Sequence, residues 1–250
     1  MDATPSDVEA GHASYTRRAL AVYDLAILGY FSRVAWRCPA RYILQHYNDH
    51  VSGNHLDVGL GTGYFLDRCR FDTPSPRIVL MDLNQNCLDV AARQVARYDP
   101  ELSLGNALEP FTVDGPMFDS VGLNYLLHCL PGDIRAKSVV FQHAKAAAVP
   151  GATIVGATLL HGGVDRNWMA RKVMDRNNAH GILSNAHDDL DGLRWALSQH
   201  LTDPVVNVVG CIALFAGVVN WHFGHAVDVS ESARRFGRVI VGRVAQTMAQ

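Results

Sequence analysis

"HLDVGLGTGYF", His55 to Phe65, sets three glycines within five positions directly behind a short apolar run that carries an acid, Asp57. Glycines placed so let the main chain turn left-handed and approach a ligand closely, while the acid sets the sign of charge that the ligand meets. The stretch reads as a strand, a bare turn and the start of a helix. Downstream, "PRIVLMDLN" is a second strand, bounded by Pro76 and ending at Asp82. "NQNCLDVAARQVARY" then places Leu88, Ala91, Ala92 and Val95 at helical spacing behind a candidate N-cap, Asn84. A weak strand "ELSLGNA", a clear one in "FDSVGLNYLL", a helix over about 133–148 and a strand "GATIVGATLL" after Pro150 and Gly151 complete the series. This alternation predicts an α/β fold, a Rossmann-like, doubly wound and mostly parallel sheet with helices on both faces. Ligands of such sheets sit at the carboxyl ends of the strands near the switch point, where the glycine turn and Asp82 would meet.

Composition narrows the partners. With 250 residues, 48% hydrophobic and 18% charged, the chain can bury the core of one domain with additions. A formal charge of -2 and no Lys/Arg block give no reason to expect nucleic acid, so a small molecule is the expected partner. Five scattered cysteines fit neither a disulfide framework nor a metal-ligand spacing, so no metal is expected. The first residues, "MDATPSDVEAGHASYTRRA", are polar and lack an apolar signal core, and no later run reaches membrane-spanning length. A cytoplasmic protein with no membrane contact is the expectation.

Two cofactor classes use this architecture. Dinucleotide enzymes favour G-x-G-x-x-G, but here Gly59, Gly61 and Gly63 are followed by Tyr64, which is bulky where the third glycine would allow tight packing. A carboxylate at the lip of the first strand suits a ligand with an ammonium and a sulfonium better than a pyrophosphate. That charge argument favours S-adenosylmethionine. "DPVVNVVGCIALFAG" adds two β-rich runs with only Gly210 and Cys211 between "VVNVV" and "IALF", too close for a crossover helix, so they should pair antiparallel.

In these features the chain resembles the class I S-adenosylmethionine-dependent methyltransferases. "LDVGLGTG" resembles their first motif and "IVLMDLN" their second, and the late hairpin is a feature that fold has and the usual dinucleotide domain lacks. The resemblance runs from about residue 15 to 216 and is nearest to the small-molecule branch, whose members include enzymes of quinone biosynthesis. It implies a seven-stranded sheet, with Asp57 near the methionine amino group and Gly59, Gly61, Thr62 and Gly63 along the cofactor. It also implies Asp82 on the ribose, Leu83 against the adenine, and Asn106 with Ala107 at the adenine edge. Asn106 stands where the family usually has an acid; its amide oxygen can accept the same hydrogen bond. Asn124 and Tyr125, at the end of "FDSVGLNY", are the implied neighbours of the methionine part.

Methyl transfer from a sulfonium needs alignment in a water-poor pocket more than it needs acid or base help. A base is required only when the accepting atom must lose a proton. His128, just past the fourth strand, is the first candidate and reads equally as a histidine tied into the turn before Pro131; His161, after the fifth, is the second, where Gly162 and Gly163 show only that a loop starts. His46 and His50 have the spacing of a helical metal pair without a third ligand, and a solvated helix face is expected there. His180 and His187 are expected in a loop region, able to touch substrate.

Residues 1–50 read as a helical segment, two helices broken near Cys38 and Pro39, that either covers the sheet or closes over the site as a lid. Its Tyr15, Tyr23 and Tyr30 are candidate substrate contacts, as is Trp168 in an insertion over about 161–190 that is expected to form the opposite wall. Arg166, Arg171 and Arg176 in that insertion read as solvated surface. The methyltransferase core is placed at 51–217. Residues 218–250 read as an extension, either a helix on the body or on a second copy of the chain, or a tail; a homodimer through it is left open. The expected activity is O-, N- or C-methylation of a small apolar or aromatic metabolite, of the kind met in secondary metabolism. A nicotinamide-dependent oxidoreductase and a non-catalytic interaction module are the alternatives.

Overall fold

The computed structural model describes residues 29–220. Seven strands form one sheet: β1 (Asn54–Val58), β2 (Arg77–Asp82), β3 (Glu101–Leu104), β4 (Phe118–Asn124), β5 (Ala148–Leu159), β6 (Thr202–Val209) and β7 (Ile212–Val218). Their order is β3-β2-β1-β4-β5-β7-β6. The first five pair in parallel, whereas β7 runs antiparallel to both β5 and β6. The strand order reverses between β1 and β4, which opens a crevice at their carboxyl ends. Expected and observed sheets agree, including the late hairpin.

Side-chain alternation along the central strands builds two cores. Leu56, Val58, Val79, Met81, Val121, Leu123 and Ile154 face one side, under α4 (Val139–Ala146) and α6 (Leu190–His200). Ile78, Leu80, Val155 and Ala157 face the other, under α1 (Ala40–Asn48), α2 (Tyr64–Arg68), α3 (Gln85–Gln94) and α5 (Trp168–Ala179). Burial on both faces explains why these strands read as continuous apolar runs instead of alternating ones. Pro39 precedes α1, where its fixed φ and missing N–H suit a helix start, and Ile43 and Tyr47, one turn apart, are buried. Asn84, Asn167 and Asp189 cap α3, α5 and α6, each accepting from a first-turn amide, and such a cap is worth about 1 kcal/mol.

Several local expectations change. The helix expected over 133–148 is a 3-10 turn, Ala136–Ser138, followed by the shorter α4. β5 begins at Ala148 and runs through Pro150 and Gly151, which tolerate the strand end because the β4–β5 register shifts there. The insertion after β5 contains α5, whose Ala170 and Met174 pack on the sheet. His46 and His50 are half-buried: His46 Nε2 bonds the Phe215 carbonyl at 2.9 Å, tying α1 to β7. Ala35, Trp36, Ile43 and Tyr47 belong to the second core, so this part of the N-terminal segment covers the sheet. The sheet extends slightly past 217, since Val219 is buried and exchanges backbone bonds with Gly151 and Ala152. Tyr15, Tyr23 and the extension from 221 onward lie outside the described residues.

One buried ion pair ties the segment between α5 and α6 to the turn before α4. Lys137 Nζ lies 2.6 Å from Asp188 Oδ2 with both side chains fully buried, and it also donates to the Ser184 carbonyl at 2.7 Å. Removing one partner leaves the other charge uncompensated in the core. Lys137→Met should therefore cost about 3–5 kcal/mol in urea unfolding, and adding Asp188→Leu should return most of that loss.

Candidate functional site

A cleft open to solvent lies at the crevice between β1 and β4. Its floor is the glycine turn. Gly59, Gly61 and Gly63 all have positive φ, at 70°, 58° and 78°. At Gly59 a Cβ would also meet Leu126 Cδ1 at 2.5 Å, while at Gly61 it would project into open space. Gly61 is thus bare for the sake of its backbone and of whatever approaches it. All of the residues expected around a cofactor, Asp57, Gly59, Gly61, Thr62, Gly63, Asp82, Leu83, Asn106, Ala107, Asn124 and Tyr125, line this one cleft.

The polar lining has two unusual members. Asp57 is 3% exposed; Tyr47 Oη donates to its Oδ2, whereas Oδ1 has no hydrogen-bond partner among the described residues. Asn124, at the end of β4, is 7% exposed with neither its amide oxygen nor its amide nitrogen bonded among the described residues. Buried polar atoms left so cost free energy unless something binds them. Asp82 at the end of β2 accepts from the Asn84 amide at 2.8 Å. Burial pushes its carboxyl up to about 6, against the backbone bonds from Asn84 and Gly61, which pull it down. Asn106 Oδ1 accepts from Leu108 N–H at 3.0 Å and so shapes the loop as well as lining the cleft. An anion and an unpaired amide at one end, a second acid at the lip, and apolar walls between suit a cationic ligand that also carries hydroxyls.

Tyr125 turns the chain away from β4 with a left-handed φ of 58°, held by its N–H bond to the Ala157 carbonyl at 2.8 Å. Its ring stands between Phe65 and His128, at centroid distances of 6.2 and 5.4 Å.

Neither histidine candidate reaches the cleft. His128 is buried beneath it: Nδ1 accepts from the Leu159 amide and contacts the Thr158 hydroxyl, both at 3.3 Å. Burial, with Lys137 adding to it, pushes its pKa down to about 3, and a neutral ring accepting at Nδ1 carries its hydrogen on Nε2. Nδ1 of His128 is thus taken up in holding the end of β5, and the ring does not line the cleft. His161 sits beyond β5, Nε2 3.6 Å from Asp175 of α5 and next to the Gly162–Asp189 bridge, and does not line the cleft. Tyr30 is 54% exposed with its ring edge-on to Phe31, and Trp168 is 72% exposed at the start of α5; neither lines the cleft. The insertion does not form its opposite wall. Instead Tyr64, Phe65, Leu126, Cys129, Leu130 and Pro131 are among the residues that add to the lining.

Sequence reasoning passed over Tyr47. Only its apolar-looking place in α1 shows in the sequence, and nine residues separate it from Asp57.

No protein-family model matches the chain. It is 38% identical to demethylluteothin O-methyltransferase of Streptomyces thioluteus, over 82% of this chain and 89% of that protein. To the physcion biosynthesis cluster O-methyltransferase of Aspergillus chevalieri it is 34% identical, over 83% of this chain and 94% of the other. The structure of DhpI in complex with SAH aligns with a TM-score of 0.65 over 87% of this chain and 99% of that one; at 15% identity the likeness is one of fold. Relatives this similar over nearly their whole length decide between the two cofactor classes: the chain belongs to the class I S-adenosylmethionine-dependent methyltransferases, in their small-molecule branch.

Proposed function

We propose that the protein methylates an oxygen atom of a small apolar or aromatic acceptor, and that the cleft between β1 and β4 holds the methyl donor. S-adenosylmethionine supplies, when bound, a methyl group already activated by its sulfonium. The observation that carries the reading is the pair of unsatisfied polar groups, Asp57 Oδ1 and the Asn124 amide, in one apolar cleft. Asp57 takes the donor's ammonium, and Asn124 and Tyr125 border the methionine part. The turn from Gly59 to Gly63, Thr62 included, follows the cofactor backbone; Asp82 takes the ribose hydroxyls. Leu83 lies along the adenine, with Asn106 and Ala107 at its edge. Phe65, Leu126 and Leu130 exclude water from the reacting centre, which strengthens these charge interactions. The choice of oxygen is supported by the relatives named as O-methyltransferases.

Among the described residues no histidine lines the cleft. An acceptor with an acidic hydroxyl, phenolic or enolic, suits such a site because it arrives ionised and leaves the protein only positioning to do.

Titration calorimetry with S-adenosylhomocysteine should give binding by the unaltered chain, and Asp57→Asn should weaken it about tenfold or more, as expected for losing one charge-assisted contact. Absence of binding by the unaltered chain at millimolar ligand would remove the assignment. With a series of phenols of graded acidity, the rate of methylation should rise with pH through each phenol's own pKa; one fixed inflection for all of them would point to a protein base instead. Asp82 gives a third expectation. Its folded pKa, about 6, lies above the ordinary 3.8, so the stability it contributes is present below pH 4 and is lost as pH rises past 6. Asp82→Asn should therefore raise the melting temperature of the ligand-free protein at pH 8, leave it nearly unchanged at pH 4, and weaken nucleoside binding at pH 8.

A further inference from the structure

Asp57 is held from behind by a chain of buried polar groups that crosses the sheet. Tyr47 Oη, fully buried in α1, donates to Asp57 Oδ2 and lies 2.8 Å from His55 Nε2. His55 Nδ1 is 2.7 Å from Ser120 Oγ, which in turn accepts from the Ser52 amide at 2.9 Å. The hydrogens have one consistent arrangement when the imidazole is neutral. Tyr47 gives its only hydrogen to the carboxylate, so it must accept from His55 Nε2–H; Nδ1 must then accept from the Ser120 hydroxyl.

Strand register makes room for this chain. His55 and Asp57 share one face of β1, and across the ladder their partners on β4 are Ser120 and Gly122. A Cβ at Gly122 would stand 2.6 Å from Tyr47 Oη and 3.1 Å from His55 Nε2, so the missing side chain opposite Asp57 is the space the tyrosine hydroxyl occupies. Burial and the Asp57 charge raise the Tyr47 pKa further, which keeps the hydroxyl protonated and donating.

We propose that Tyr47 is a positioning residue: its hydroxyl, oriented by Ser120 through His55, fixes one oxygen of Asp57 so that the other is presented to the ligand's ammonium group. The proposal rests on the donor assignment made above. Without the hydroxyl the carboxylate can rotate about its last bond, and its second oxygen joins the first in lacking a partner. The nucleoside end of the ligand, which meets Asp82 and Leu83, would not register that change.

Calorimetry on the full chain separates the possibilities, with S-adenosylhomocysteine as one probe and 5′-methylthioadenosine, which lacks the amino-acid part, as the other. Tyr47→Phe should weaken S-adenosylhomocysteine about tenfold or more and methylthioadenosine less than twofold. Ser120→Ala, which removes only the far hydroxyl, should show the same preference at about threefold, and it carries the test if Tyr47→Phe does not yield a folded protein. Equal weakening of both ligands would mean a merely structural role, and an unchanged S-adenosylhomocysteine affinity would mean no role; either overturns the proposal. If the unaltered chain binds neither ligand, the donor assignment falls first, and the proposal with it.

Discussion

A carboxylate almost cut off from water must be held by hydrogen bonds or charges, and Asp57 is held on one side only. That half-finished bonding organises much of the molecule around it. Gly122 is bare because a hydroxyl occupies its side-chain space. Tyr47 is spent inside α1 on a polar task, although its helix neighbours Ile43 and Leu44 pack as ordinary core. The glycine turn begins one residue after β1 ends, so the free oxygen and the exposed backbone border the same cleft. In a family whose methyl donor is cationic, an unsatisfied anion at that place is stability forgone in favour of binding.

The parts legible in the sequence were those encoded locally. Three glycines behind a strand, acids at the ends of β1 and β2, and a two-residue link between β6 and β7 each depend on neighbours along the chain, so periodicity and turn chemistry exposed them. α5 could also have been read: Ala170, Val173 and Met174 fall at helical spacing behind the Asn167 cap, but the many polar residues of "DRNWMARKVMDRNNAH" masked the stripe. His128 was placed by its closeness to the end of β4. The left-handed turn at Tyr125 and the 3-10 turn Leu127–Cys129 then carry the ring onto the carboxyl end of β5, which no spacing rule foretells. Tyr47 was illegible for the opposite reason, since its meaning lies wholly in a contact made across two elements.

One part of the cleft, around Asp57, Asp82 and Asn124, is polar, and the remainder is largely apolar. Tyr64, Phe65, Leu126, Leu130 and Pro131 offer surface without direction, the sort of lining that accepts one flat molecule about as well as another of similar size. Under the donor assignment proposed above, constancy on one side of the transferred methyl and latitude on the other follow from this division.

The place of β7 has a consequence for how the chain comes off the ribosome. Among the described residues β6 pairs only with β7, and β5 has β4 on one side and β7 on the other. Until residues 212–218 emerge, β6 has nothing to pair with and a long apolar strand lies open along one edge, the condition in which nascent chains stick to one another. Among the described residues the last strand made is thus the wedge that closes the sheet, and the interval before its arrival is when the half-built sheet is most open to wrong partners.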